Sequence, residues 1–164
     1  MNNKKGWTLV ELMIIVTMFG ILSLSVSSLF LQIWRFYRIT LVQKELQEEA
    51  RTILELIMRN LRNGRSNTIV ISRYNSQQPP YSKIDFYTVD GLFVSYYQVG
   101  RTLYEKIGNM QPKMLSKSIT YFAVTFPRSY EMNIVSIALT LEKDLYEIRK
   151  KALHMASEKV MVMN

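Results

Sequence analysis

LMIIVTMFGILSLSVSSLFLQIW, residues 12–34, is a run of 23 residues without a single charge. An α-helix needs roughly 20 predominantly apolar residues to cross a bilayer, so this run is long enough to span one. It starts close behind Lys4 and Lys5 and is followed by Arg35 and Arg38. A secretory signal peptide is one alternative. Its apolar region is roughly 7 to 15 residues long and ends at a small-residue cleavage site. This run is longer, and the LFLQIWRF that closes it has no such site. A plain signal anchor is the other. Its basic start would keep the N-terminus cytoplasmic, although Arg35 and Arg38 weaken the charge asymmetry.

Neither alternative accounts for Glu11. A carboxylate at the edge of an apolar run is costly in lipid and marks a functional position. The plain structural explanation is an acid in the first helical turn, where the helix dipole favours it.

Residues 4–15 read KKGWTLVELMII. The segment resembles the class III signal of type IV pilins and pseudopilins: basic leader, glycine, aromatic, Thr-Leu-Val-Glu, then a long apolar helix. The resemblance implies that a prepilin peptidase cuts between Gly6 and Trp7 on the cytoplasmic face and methylates Trp7, the new N-terminus. Glu11 becomes the fifth residue of the processed chain. It would pair with the N-terminal amine of a neighbouring subunit and so hold assembly in register, because an unpaired charge in low dielectric costs several kcal/mol. The sequence departs from the family in two places. Trp7 stands where phenylalanine is usual, and Ser28 stands where major pilins often carry a proline. Ser28 belongs to a run with Ser23, Ser25 and Ser27. These serines either loosen the helix by bonding back to its carbonyls or are simply small, tolerated residues.

The helical pattern continues past the membrane segment. Leu41, Val42, Leu46, Ala50, Ile53, Leu54, Ile57 and Leu61 recur at steps of three and four, one apolar stripe. The opposite face carries Glu45, Glu48, Glu49, Arg51, Glu55, Arg59 and Arg62. Asn63-Gly64 supplies a stop, with Arg59 and Arg62 in the last turn against the dipole. A helix from Leu9 to Arg62 would be about 80 Å long if straight. Its second half is expected to pack on the chain's own sheet.

Beyond Gly64 the apolar period changes to two, with β-branched and aromatic residues. The expected strands are Ile69–Ser72, Ile84–Val89, Leu92–Gln98, Thr102–Lys106, Ile119–Phe126, Ile134–Glu142 and a last one near Val160–Met163. Asp90-Gly91 is a strong hairpin signal and Gly100-Arg101 a weaker one. Gln77–Ser82, with Pro79-Pro80, reads as a surface loop. The expected fold is therefore α+β, a long N-terminal helix followed by an antiparallel sheet. The organisation is a leader 1–6, a transmembrane and fibre-core helix 7–34, and an extracytoplasmic pilin-like domain 35–164. That domain divides into an amphipathic helix half 35–63 and a β-sheet 68–164.

GLFVSYYQVGRTLYEK, residues 91–106, resembles the hairpin of J-type minor pseudopilins of type II secretion and PilW-type minor pilins. The helix end RTILELIMRNLRNG and a final strand closing on Asn164 resemble theirs too. Minor pseudopilins of competence pili are the nearest confusable group. The resemblance implies a structural subunit at a fibre tip that helps to initiate assembly. It also implies its partners: other pilin subunits, the prepilin peptidase, an assembly platform and the cytoplasmic membrane. The chain would sit there as a single pass with a cytoplasmic N-terminus before entering a pilus or pseudopilus.

Composition sets the outer bounds. The chain has 164 residues, 48% hydrophobic and 21% charged, and its mean hydropathy is essentially zero. That excludes a disordered tail and a multi-span transporter. There is no cysteine, so disulfides, thiolate zinc sites and thiol catalysis are excluded. The sequence shows no catalytic set and calls for no cofactor or metal. His154 is the only histidine, expected on an edge strand, and no HExxH, P-loop, GxGxxG or GxSxG occurs. Glu142, Asp144 and Glu147 lie close together near an expected turn. Oxygen-rich clusters can bind calcium, but Lys143 and the basic run Arg149, Lys150 and Lys151 make an ion-paired face the better expectation. The net charge is +8. Loss of Lys4 and Lys5 would leave 19 basic against 13 acidic residues, +6. Phosphate contacts and base stacking on Tyr96, Tyr97, Tyr104 and Tyr121 would make the chain a membrane-anchored DNA-binding minor pilin of a competence pilus, the alternative function. The strand-like alternation of those tyrosines favours packing instead.

Overall fold

Leu9 to Arg62 forms one α-helix, α1, in a computed structural model that describes residues 8–128, 133–145 and 150–162. The chain divides into two compact units between Thr40 and Leu41. In the first unit, none of the described residues is buried. Its helix is held by its own backbone hydrogen bonds, and its described apolar side chains, Ile15 and Ile39 apart, are exposed.

In the second unit the helical stripe finds its core. Leu46, Ala50, Ile53, Leu54, Ile57, Met58 and Leu61 are buried. Glu45, Glu48, Arg51, Glu55, Arg59 and Arg62 stay exposed. Full burial of one such leucine or isoleucine contributes about 1.5–3 kcal/mol, so this stripe fixes the helix face. Leu41, expected in the stripe, is exposed, and Val42 is only partly covered.

The helix stops where expected, but glycine serves the stop by its size. Gly64 has no left-handed φ. A Cβ there would lie 3.0 Å from the Leu61 carbonyl oxygen and 3.0 Å from Phe86 Cδ2. Its N–H donates to the Leu61 carbonyl at 2.9 Å, and the chain pairs at once with Thr88.

After a 3-10 turn, Ser66–Thr68, come eight strands among the described residues. They are β1 Val70–Ser72, β2 Lys83–Tyr87, β3 Phe93–Val99, β4 Thr102–Ile107, β5 Lys113–Ser116, β6 Ile119–Thr125, β7 Ile134–Leu145 and β8 Lys150–Met161. They form two antiparallel sheets where one was expected, a five-stranded sheet β1-β2-β3-β4-β5 and a three-stranded sheet β6-β7-β8. The inward rows are Ile84 and Phe86, Val94 and Tyr96, Leu103, then Ile119, Phe122 and Val124, Val135, Ile137, Leu139 and Leu141, and Ala152 and Val160. These join the stripe of α1 in a single core.

Both hairpin signals hold. Gly91 (φ 80°) turns β2 into β3, and Gly100 (φ 61°) turns β3 into β4 with Val99 opposite Thr102. β5 was not expected, because KMLS has no clean alternation; it follows a turn at Gly108 (φ 53°). The expected last strand near Val160–Met163 begins ten residues earlier, at Lys150. Its twelve residues pair with β7 from Leu145↔Lys150 to Ile134↔Met161. β7 likewise continues past Glu142 to Leu145. The loop expected at Gln77–Ser82 does connect strands, yet its last residue is fully buried: the carbonyl of Ser82 accepts the N–H of Gln98.

Candidate functional site

Three groups of residues carry the functional expectations: the start of α1, its uncovered apolar run and the polar clusters of the sheet unit. Gly6 and Trp7, the expected cleavage and methylation site, lie outside the described residues. The description begins at Thr8, and here the structure adds a residue that sequence reasoning missed. The Thr8 N–H donates to Glu11 Oε2 at 2.8 Å, and the Thr8 hydroxyl donates to the same oxygen at 3.0 Å. The Glu11 N–H donates back to Thr8 Oγ1 at 3.3 Å. This is a capping box, in which side chains at both ends of a Thr-x-x-Glu spacing satisfy helix-start N–H groups. The signal was legible as Thr8-Leu9-Val10-Glu11. Both side-chain bonds use Oε2, and Glu11 is exposed.

From Leu12 to Trp34 the apolar side chains point outward all round the helix. Phe19, Leu24 and Phe30 are 67%, 75% and 69% exposed. Such a surface has a large hydrophobic cost in water and none in lipid or among other apolar helices. The hydroxyls in the run are satisfied internally. Thr17 donates to the Met13 and Ile14 carbonyls, Ser23 to Phe19, Ser25 to Ile21, Ser27 to Ser23 and Ser28 to Ser25, all within 3.1 Å. The serines therefore do bond back, and α1 continues through them. Thr17, Gly20, Ser23, Leu24 and Ser27 line a shallow groove along this run. With these hydroxyls bonded to its own carbonyls, the helix is long and apolar enough to cross a membrane.

At the end of the run the polarity changes within one turn. The guanidinium of Arg38 lies over the Trp34 ring, 5.5 Å from its centroid. Trp34, Arg35, Tyr37 and Arg38 are all exposed.

In the sheet unit the structure separates the four tyrosines. Tyr96 points inward and is fully buried. Asn60 of α1 donates to its hydroxyl oxygen at 2.6 Å, and the Tyr96 hydroxyl donates to Glu105 Oε1 at 2.7 Å. Burial, and then the carboxylate of Glu105, push this phenol far above its ordinary range. Tyr97, on the opposite face of β3, is buried between Tyr74 (centroids 4.7 Å apart) and Tyr104 (5.6 Å) and is not part of the main core. Its ring faces are occupied by neighbouring tyrosines, and Tyr74 is the exposed member. Tyr121 is exposed on the other sheet. The four thus form no single stacking platform.

Of the acids expected near a turn, Glu142 and Asp144 lie in the last four residues of β7, at its hairpin end. Glu142 accepts from Lys151 Nζ at 2.7 Å, with Arg101 Nη2 at 3.7 Å. Asp144 lies 3.8 Å from Arg101 and 4.0 Å from Lys151, and Lys143 reaches Glu45 of α1 at 2.6 Å. Glu147 and Arg149 lie outside the described residues. The hydrogen bond from Lys151 holds the Glu142 carboxyl below its ordinary range, against the opposing effect of desolvation. The same bond raises the Lys151 ammonium. The cluster is an ion-pair network that ties the Gly100-Arg101 turn to the second sheet. Among the described residues no three of His, Asp and Glu converge as metal ligands. His154 is half-buried on the edge strand β8, opposite Leu141. No protein-family model, curated protein or solved structure matches the chain.

Proposed function

We propose that the chain is a minor pilin or pseudopilin, a structural subunit that moves from the cytoplasmic membrane into a type IV pilus or type II secretion pseudopilus. One observation carries this: the signal-like KKGWTLVEL leads into an apolar helical run whose apolar side chains are nearly all exposed. A helix of that kind suits two successive environments, lipid and the helical core of a fibre, because both cover it on every side. The α+β unit would ride outside as the surface of the subunit, and a tip position would follow from the J-type and PilW-type likeness.

In this proposal the peptidase removes residues 1–6 and methylates Trp7. The capping box sets the chemistry of Glu11. While the subunit is alone, Thr8 offers Glu11 local donors that lower the cost of its charge near lipid. In the fibre, the stronger partner is the cationic N-terminus of a neighbouring subunit. Exchange of the local bonds for that ion pair would bias the equilibrium towards the assembled state.

The test is mass spectrometry of the chain co-expressed with a prepilin peptidase. The expected product lacks residues 1–6 and carries one extra methyl group, and Gly6→Val abolishes it. An unprocessed wild-type chain, or a Gly6→Val chain processed like wild type, overturns the proposal.

A further inference from the structure

Among the described residues the two sheets end in β1, β5, β6 and β8. An outer strand leaves a row of backbone N–H and C=O groups open to pairing with another chain, and folded proteins blunt such edges. Three of these edges are blunted. β1 is three residues long and β5 four. β6 spends outer groups on the first sheet: the Val124 N–H donates to the Tyr81 carbonyl at 2.9 Å, and the Ile119 N–H to the Arg101 carbonyl at 3.0 Å. β8 is the exception. Its twelve residues run without proline, glycine or a register shift. From Ala152 to Ser157 they include no Lys, Arg, Asp or Glu.

The pairing with β7 determines which groups are open. The Val162 N–H donates to the Asn133 carbonyl at 2.7 Å, one step beyond the pair Ile134↔Met161. The even-numbered residues of β8 therefore form the hydrogen-bonded pairs with β7. The other side of β7 agrees. Glu142, opposite Leu153, donates its N–H to the Ser118 carbonyl at 2.8 Å, away from β8. The N–H and C=O groups of Leu153, Met155, Ser157 and Lys159 thus point out of the sheet edge. Their side chains lie on the face turned from the core. Leu153 and Met155 are 53% and 69% exposed, whereas Ala152 and Val160 of the other row are buried. Lys159 faces Ser136, with Ile134 and Ala138 diagonal to it, and none of the three is acidic. Lys151, in contrast, is engaged by Glu142.

We infer that the open edge of β8 is a docking site for an extended strand of another protein chain. That strand carries apolar side chains opposite Leu153 and Met155 and a carboxylate opposite Lys159. Directly opposed side chains share a face, and opposite charges there attract. Charge selects against a second copy of this chain. The outward row of β8, from Lys151 to Met161, holds no acid, and β1, β5 and β6 hold none at all. Main-chain hydrogen bonds supply the attachment, and the alternate side chains supply the selection. The inference goes beyond the fibre reading and uses the sheet unit alone, so either can fail without the other.

The probe is a fluorescent, threonine-rich synthetic strand with glutamate opposite Lys159 and valine opposite Met155 and Leu153. A control strand has lysine in place of the glutamate. Each is titrated into the full-length protein in detergent, and amide exchange is followed residue by residue. In the free chain the amides of Leu153, Met155, Ser157 and Lys159 should exchange faster than those of their even-numbered neighbours. The acidic strand should slow them, and the control should bind about two- to tenfold more weakly. Lys159→Glu should reverse that preference. Ser157→Pro removes an N–H that serves only the open edge, so it should keep the protection of the even-numbered amides and lose the strand. Edge amides already protected in the free chain overturn the site, and protection that rises with protein concentration assigns the edge to a second copy. Equal binding of both strands, no slowing by the acidic one, or full binding to Ser157→Pro overturns it as well.

Discussion

Asn60 of the helix and Tyr96 of the central strand β3, 36 residues apart in the chain, meet at 2.6 Å. Tyr96 passes the contact on to Glu105 of β4 at 2.7 Å. Glu105 is 5% exposed, so its carboxyl oxygen depends on these two donors. The triad fixes the register between α1 and the five-stranded sheet, which apolar packing alone specifies less sharply.

Tyr96→Phe keeps the ring and removes the stronger donor. Only Asn60 Nδ2, at 3.3 Å, is then left on Glu105 Oε1. The expected loss is ~1–3 kcal/mol, the usual cost of stranding a buried acceptor. Denaturant unfolding of the full chain in detergent measures it. Adding Glu105→Leu to Tyr96→Phe should restore part of the loss, since no buried carboxylate then lacks its donor. Strict additivity of the two losses would mean that the contact carries no coupling.

Gly64→Ala should destabilise the sheet unit by about 1–3 kcal/mol, because the new methyl meets a backbone oxygen and the Phe86 ring at 3.0 Å. Phe86→Leu in the same chain should recover part of it. Gly20→Ala is the matched control, since a Cβ there meets nothing within 4 Å. If thermal melts showed both glycines equally tolerant, close approach would not be what Gly64 provides.

The Glu142–Lys151 pair predicts the direction of one pH dependence. The folded carboxyl of Glu142 is held below its ordinary value of 4.5. Its contribution is therefore complete above that value and disappears as pH falls through the lower, folded one. Lys151 is raised above 10.5, so its share is complete below that value and is lost as pH rises further. Melts from pH 7 down to pH 3 should show a smaller loss for Glu142→Gln than for wild type. Solvent screening keeps the difference modest. Parallel profiles for the two proteins would remove the pair from the acid response.

Thr8 and Glu11 separate two roles that one substitution would confuse. Thr8→Val removes the hydroxyl of the capping box and keeps the charge of Glu11. Glu11→Ala removes both. Loss of the cap alone costs about 1 kcal/mol of local helix stability. In a fibre-incorporation assay, Thr8→Val should assemble and Glu11→Ala should not. Equal defects in both would reduce Glu11 to a cap and set aside the proposed subunit contact.

Elements whose signal is local were legible before any folding. The uncharged run 12–34, the stripe expected from Leu41 to Leu61 (buried from Leu46 onward), the Asn63-Gly64 stop and the turns at Asp90-Gly91 and Gly100-Arg101 depend on neighbours within a few residues. Apart from the first turn of the stripe, Leu41 and Val42, each stands where its pattern put it. Thr8 was equally legible, as the other end of a Thr-x-x-Glu spacing. Features that depend on distant partners emerged only with the packed fold. KKALHMASEK, residues 150–159, is rich in good helix formers. It is nevertheless the body of β8, because every one of its residues has a partner on β7. Tyr96 and Tyr97 are neighbours in sequence, yet one is bound into the core by Asn60 and the other is buried on the opposite face of the sheet by stacking on Tyr74. A strand's alternation says that two neighbours face apart; only the sheet's packing against α1 says which of them faces in.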